Sequence, residues 1–111
     1  MRTIYICAPL AGDIEANVNR VLVAVRKLSD EYRGNGIKSM PMLIAPHLAL
    51  NGITFNKDGE TDRKWGMECC LGLLRWADEV IVIGDHITAG MAEEMETAFR
   101  MGITVTRRSD L

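Results

Sequence analysis

The sequence predicts a three-layer α/β sandwich in one domain, with about four to five parallel strands and helices on both faces of the sheet. Three observations predict it. Strand-like and helix-like segments alternate as β-α-β-α-β-α-β along the 111 residues, an order that means a parallel sheet joined by right-handed crossovers. The strand-like runs are apolar without period-two alternation, as strands covered on both faces are. The intervening segments carry their apolar residues on one helical side.

The first run, Thr3 to Ala8, is β-branched and apolar, and it stops at Pro9, which cannot continue a central strand. Leu10-Ala11-Gly12-Asp13 follows as a tight loop, with Asp13 suited to cap a helix. Ile14, Val18, Val21, Leu22, Val25, Leu28 and Tyr32 then line one face of a 3.6-residue period, and Gly34-Asn35-Gly36 ends it. Met40 to Ala45 reads as a second buried strand ended by Pro46, and residues 47–60 read as a long loop. Thr61 or Asp62 caps a helix that runs to about Trp76. Glu79 to Gly84 is the clearest buried strand, followed by a polar loop to Gly90. A helix from about Met91 to Met101 ends with Gly102 at C′, and Ile103 to Thr106 forms the last strand, leaving Arg107 to Asp110 as a polar tail. An open flavodoxin/Rossmann-like sheet of this kind binds ligands outside the carboxyl ends of its strands, where the strand order switches. Residues 8–13, 46–60 and 84–90 lie at that edge.

Bulk properties narrow the partners. A net charge of -2 provides no global attraction for a nucleic acid polymer or an anionic membrane. The chain lacks the ~20 consecutive apolar residues of a membrane span and the apolar core of a signal peptide. Cys7, Cys69 and Cys70 match no zinc spacing and no disulfide framework, so they read as reduced thiols of a cytoplasmic protein. No metal or organic cofactor is expected. A domain this small has limited core, and the apolar helix surface to be covered points to a homodimer or higher homo-oligomer.

The first loop, with Ala8, Pro9, Leu10, Gly12 and Asp13, joins a strand to a helix N-terminus. It reads either as an anion site built on free backbone N–H groups or as a tight turn with a capping Asp. It is neither a dinucleotide fingerprint nor a P-loop. In the last helix the apolar face is set by Met91, Met95, Ala98 and Phe99, and Glu94 flanks it while Glu93 and Glu96 point further toward solvent. A carboxylate there can serve as nucleophile or base, or all three glutamates complement the helix dipole. His47 and His86 each read as a ligand contact or a structural hydrogen-bonding group. Tyr5 reads as core, its hydroxyl satisfied near the sheet end.

Ile4-Tyr5-Ile6-Cys7-Ala8-Pro9-Leu10-Ala11-Gly12-Asp13, Ala45-Pro46-His47, Trp76-Ala77-Asp78-Glu79-Val80 and Gly90-Met91-Ala92-Glu93-Glu94-Met95 together resemble the nucleoside 2-deoxyribosyltransferase-like superfamily. Within it they are most similar to a subgroup of small phage and bacterial proteins. The resemblance spans nearly the whole chain. It implies cleavage or exchange of the N-glycosidic bond of deoxynucleosides or nucleoside monophosphates. It further implies Glu94 as the nucleophile, Tyr5 as the residue that orients it, and Thr88 as a phosphate contact. Gly90, Met91, His47 and Asp85 fall at the implied ligand edge. The sequence departs from the superfamily at Cys70, where an aspartate usually assists the leaving base, and at Met95-Glu96 after the nucleophile. Glu68 or Asp85 would have to protonate the base instead. The alternative is a non-catalytic binder of a ribosylated nucleotide, for example a phage sponge for an immune signal. A structural subunit with a vestigial pocket is the third reading.

Overall fold

The computed structural model describes residues 1–9, 13–49 and 59–111, with residues 59–63 described by their backbone alone. The expected loop contributions of Leu10 and Gly12, and most of the loop expected after His47, lie outside the described residues. The element order is β1 (Thr3–Cys7), α1 (Ile14–Arg33), a 3₁₀ turn (Ile37–Ser39), β2 (Met42–Ile44), α2 (Pro46–Ala49), α3 (Gly59–Leu74), β3 (Glu79–Ile83), α4 (Ala89–Arg100) and β4 (Thr104–Arg108). The strands form a four-stranded sheet in the order β2-β1-β3-β4, parallel throughout. This is the predicted α/β sandwich.

Strand parity divides the core into two layers. Ile4 and Ile6 of β1 pack with Ile81 and Ile83 of β3 against Val21, Ala24 and Leu28 of α1. Tyr5 and Cys7 pack with Val80 and Val82 against Cys70 and Leu74 of α3 and Met91 and Ala98 of α4. Successive side chains of a strand point to opposite faces, so Tyr5 and Cys7 are committed to the α3–α4 side. Chain order reverses between β1 and β3, since β2 lies beyond β1 while β4 lies beyond β3. In open α/β sheets such a switch in strand order is where ligands bind, outside the carboxyl ends of the strands.

Capping follows the sequence closely. Asp13 caps α1, its Oδ1 accepting from the Ala16 N–H at 3.1 Å. At the end of α4, the Ile103 N–H donates to the Ala98 carbonyl and the Gly102 N–H to the Phe99 carbonyl. With Gly102 at φ +74° this is a Schellman termination. Asp78 fastens the opposite end of the sheet: its carboxylate accepts from the Thr3 N–H at 2.7 Å, and its own N–H donates to the Thr3 carbonyl.

Four expectations need correction. Pro46–Ala49 is a short helix where a loop was expected; proline suits the first helical position because its missing N–H would be unpaired there anyway. The third helix begins at Gly59, ahead of the expected caps Thr61 and Asp62. β4 continues through Arg108, because pairing with Val82 and Ile83 of β3 extends the ladder into the supposed tail. Arg108 then joins Glu31 of α1 and Asp110 at 2.8 and 2.7 Å. Phe99 is 80% exposed and does not belong to the buried face of α4, which is Met91, Glu94 and Ala98.

Candidate active site

Glu94 is 3% exposed. It sits on the side of α4 that faces Tyr5 and Cys7, and the sequence expectation of a marginal position understates its burial. Cys70, from α3, completes the group in the same layer. The four side chains therefore reach one point from three elements: β1, α3 and α4.

The electrostatics follow from burial. Loss of water pushes the Glu94 carboxyl up to about 7, partly offset by the neighbouring Tyr5 hydroxyl and Cys7 thiol, with Glu93 adding a small upward push. Burial and the proximity of Glu94 hold the Tyr5 hydroxyl and the Cys7 thiol well above their usual ranges. Burial first, and Glu94 second, push the Cys70 thiol up to about 11. At neutral pH the cluster thus consists of one half-ionised carboxyl, a phenol and neutral thiols. Such a carboxyl is poised to act as nucleophile or base. The Cys7 thiol donates to the Met91 carbonyl across 3.9 Å.

Two atoms of the cluster, Tyr5 Oη and Glu94 Oε2, are buried without an aligned hydrogen-bond partner among the described residues. The expectation that the Tyr5 hydroxyl is satisfied near the sheet end is thereby corrected. Buried polar atoms without partners are uncommon and costly, about 1–3 kcal/mol each.

The rim comes from the helix start and the strand ends. Thr88 caps α4, its Oγ1 accepting from the Met91 N–H at 3.2 Å while its own N–H donates to Met91 Sδ at 3.5 Å. Gly90 is small for a packing reason: a Cβ there would lie 2.9 Å from Met67 Cε of α3. Gly84, at φ +80°, takes a left-handed conformation that glycine adopts without strain as the chain leaves β3. Asp85 is exposed, and its carbonyl accepts from Arg107 at 3.4 Å.

The remaining candidates are distributed unevenly. Ala8 and Pro9 are buried at the end of β1, while Asp13 is exposed and engaged as a helix cap. His47 is 3% exposed; burial lowers its pKa to about 4, against a small upward pull from the Ala8 backbone. That contact ties α2 to the end of β1. His86 is exposed. Glu68 is exposed on α3; it lies two positions before Cys70, about 200° around the helix, and the structure does not bring it to Glu94. The reading from sequence missed Cys7 as a member of the cluster and reached Cys70 only through the resemblance, as the position of an absent aspartate. Parity with Tyr5 along β1 would have found the first.

Among the described residues, no group of three or more His, Cys, Asp or Glu side chains is arranged to hold a metal ion, and no helix is long and apolar enough to cross a membrane.

Fold and site define the class: a doubly wound parallel α/β protein with a buried glutamate–tyrosine pair at the carboxyl edge of its sheet. The chain belongs to the family described as "Domain of unknown function (DUF7768)", whose pattern matches residues 2–108. No curated protein matches it in sequence. Among solved structures, it is similar to a 2-deoxyribosyltransferase from Bacillus psychrosaccharolyticus, with a TM-score of 0.62 and 18% identity, over 95% of this chain and 70% of that one. It is also similar to a conserved protein from Enterococcus faecalis V583, with a TM-score of 0.69 and 24% identity, over 96% of this chain and 62% of that one. At these identities the likeness establishes the shared fold.

Proposed function

We propose that the protein binds a nucleoside or nucleotide at the carboxyl edge of β1 and β3 and cleaves or transfers its N-glycosidic bond through Glu94. The observation that carries this reading is the buried Glu94 carboxyl beside the Tyr5 hydroxyl, each with an unpartnered polar atom, at the switch in strand order. In this mechanism the Glu94 carboxylate attacks the anomeric carbon and displaces the base, and water or a second base then releases the sugar. Tyr5 holds the carboxylate in line. Thr88 and the start of α4 face the sugar or phosphate end, and Ala8, Pro9 and Asp13 frame the opposite wall. The similarity to a 2-deoxyribosyltransferase described as a biocatalyst for nucleoside synthesis supports the choice of ligand class.

A second reading, a non-catalytic binder of a ribosylated nucleotide, is favoured by Cys70. A buried thiol with a pKa of about 11 is a poor proton donor to a leaving base, and Glu68 is turned away. We place the chain, as one domain over residues 1–111, with the small phage and bacterial proteins of the superfamily. We assign it to the cytoplasm as a homodimer.

Release of free base from a panel of deoxynucleosides and monophosphates, followed chromatographically, tests the first reading. Turnover by the wild type and none by Glu94→Gln supports it. Binding without release, at high protein concentration and long incubation, supports the binder. Absence of both overturns the site.

A further inference from the structure

Resting on that reading of the pocket, we propose that the Glu94 site selects nucleosides or nucleotides whose base is positively charged, such as N-ribosylpyridinium compounds, over their neutral counterparts. Two features of the cluster lead there.

The first is the missing counter-charge. Glu94 is buried, yet none of the ion pairs among the described residues includes it. Among the described residues, the titratable groups around it are Tyr5 and Cys7 from β1, Cys70 from α3 and Glu93 on α4 itself; β3 contributes Val80 and Val82 to the same layer. None is a cation. Buried charges in folded proteins are normally paired, and the walls here are neutral and poorly screening. A cationic ring seated over the carboxylate supplies the absent partner.

The second is the departure of the base. A neutral base that takes the electron pair of the C1′–N bond leaves as an anion unless something protonates it. The nearby donors are a phenol and thiols, all made weaker acids by burial. A cationic base needs no donor. The Glu94 carboxylate forms the C1′–O bond, the C1′–N bond breaks, and its electron pair stays on the ring nitrogen, so the base leaves neutral. Water then hydrolyses the glycosyl ester, returning the carboxylate and releasing one proton to solvent. The same cluster that is poor at expelling neutral bases is therefore adequate for charged ones.

The experiment compares nicotinamide riboside, whose ring is a pyridinium, with its dihydro form, which is neutral and nearly the same size. Binding is measured by calorimetry between pH 6 and 8, and release of free base by chromatography, with thymidine and deoxyadenosine alongside. The expected result at pH 8 is binding of the cationic form about tenfold tighter or more, with base released from it faster than from any neutral compound. The preference shrinks toward pH 6, as Glu94 takes up its proton, and collapses in Glu94→Gln. Equal or tighter binding of the dihydro form overturns the proposal, as does a preference that survives in Glu94→Gln. If the neutral deoxynucleosides are bound and cleaved without any preference for the pyridinium, the charge selection falls while the nucleoside pocket stands. If nothing in the set binds, both fall.

Discussion

Replacing Glu94 by Gln should make the protein more stable, and only above the pH at which the carboxyl ionises. Burial holds that carboxyl at about 7, against an ordinary value of 4.5, and each tenfold change in proton affinity corresponds to ~1.4 kcal/mol. Below pH 4.5 the folded and unfolded chains both carry the proton, and the group has no effect on the balance. Between 4.5 and about 7 the unfolded chain gives up its proton while the folded chain retains it, so stability falls as pH rises. Above that window the loss is complete, at about 3 kcal/mol. Gln is neutral throughout and matches Glu in size. Urea melts of wild type and variant at pH 5 and pH 8, analysed with a common slope, isolate the effect, because every other titrating group cancels in the difference. The variant should gain little at pH 5 and about 2–3 kcal/mol at pH 8, equivalent to on the order of 10 °C in melting temperature. A variant less stable than wild type at pH 8, or a difference that does not change with pH, would mean that the carboxylate is well satisfied in the folded protein, and the account of the site would be wrong. A residue that destabilises the fold it sits in is what a functional group held ready for a ligand looks like.

Four further outcomes follow from the same structure. His47 acts in the opposite sense: its folded pKa is depressed from 6.5 to about 4, so its contribution is present above pH 6.5 and is lost as pH falls toward 4. His47→Gln should therefore lose less stability than wild type between pH 6.5 and 4.5 in parallel urea melts; identical acid sensitivity would refute this. Gly90→Ala should change stability by less than about 1 kcal/mol, because the gain in helix propensity is offset by displacing the methyl of Met67, which lies 2.9 Å from the new Cβ. Gly90→Val should shift the α3–α4 contact and weaken ligand binding, as calorimetry would show. Thr88→Ala removes the side-chain cap of α4 and should cost about 1 kcal/mol, measurable as a lower urea midpoint with an unchanged slope.

Much of the fold was legible because its signals are local. The apolar runs at Tyr5 and Val80, the cap at Asp13 and the stop at Gly102 each depend on a few neighbouring residues, and all are found where the sequence indicates them. The site was legible only as a set of candidates. The sequence placed Glu94 on the margin of a helix face centred between Met91 and Phe99. In the structure the face turns toward Glu94 and leaves Phe99 exposed, because α4 must pack on β1 and β3 while lying against α3. That rotation depends on the partners of the helix rather than on its own periodicity.

The sequence by itself determined that strands and helices alternate, where most of them end, and that β1 sends Tyr5 and Cys7 to one face and Ile4 and Ile6 to the other. These follow from backbone geometry and side-chain alternation, which need no knowledge of the neighbours. Only the tertiary structure decided which helices cover which face. It thereby brought Cys70 and Glu94, 24 residues apart in the sequence, against Tyr5 and left Glu68 in solvent. The physical reason is the strand order. With β1 and β3 adjacent at the centre, α1 covers one side, with Leu48 of the short α2 packed beside it, while α3 and α4 share the other, and their shared side is the one that closes over the carboxyl group.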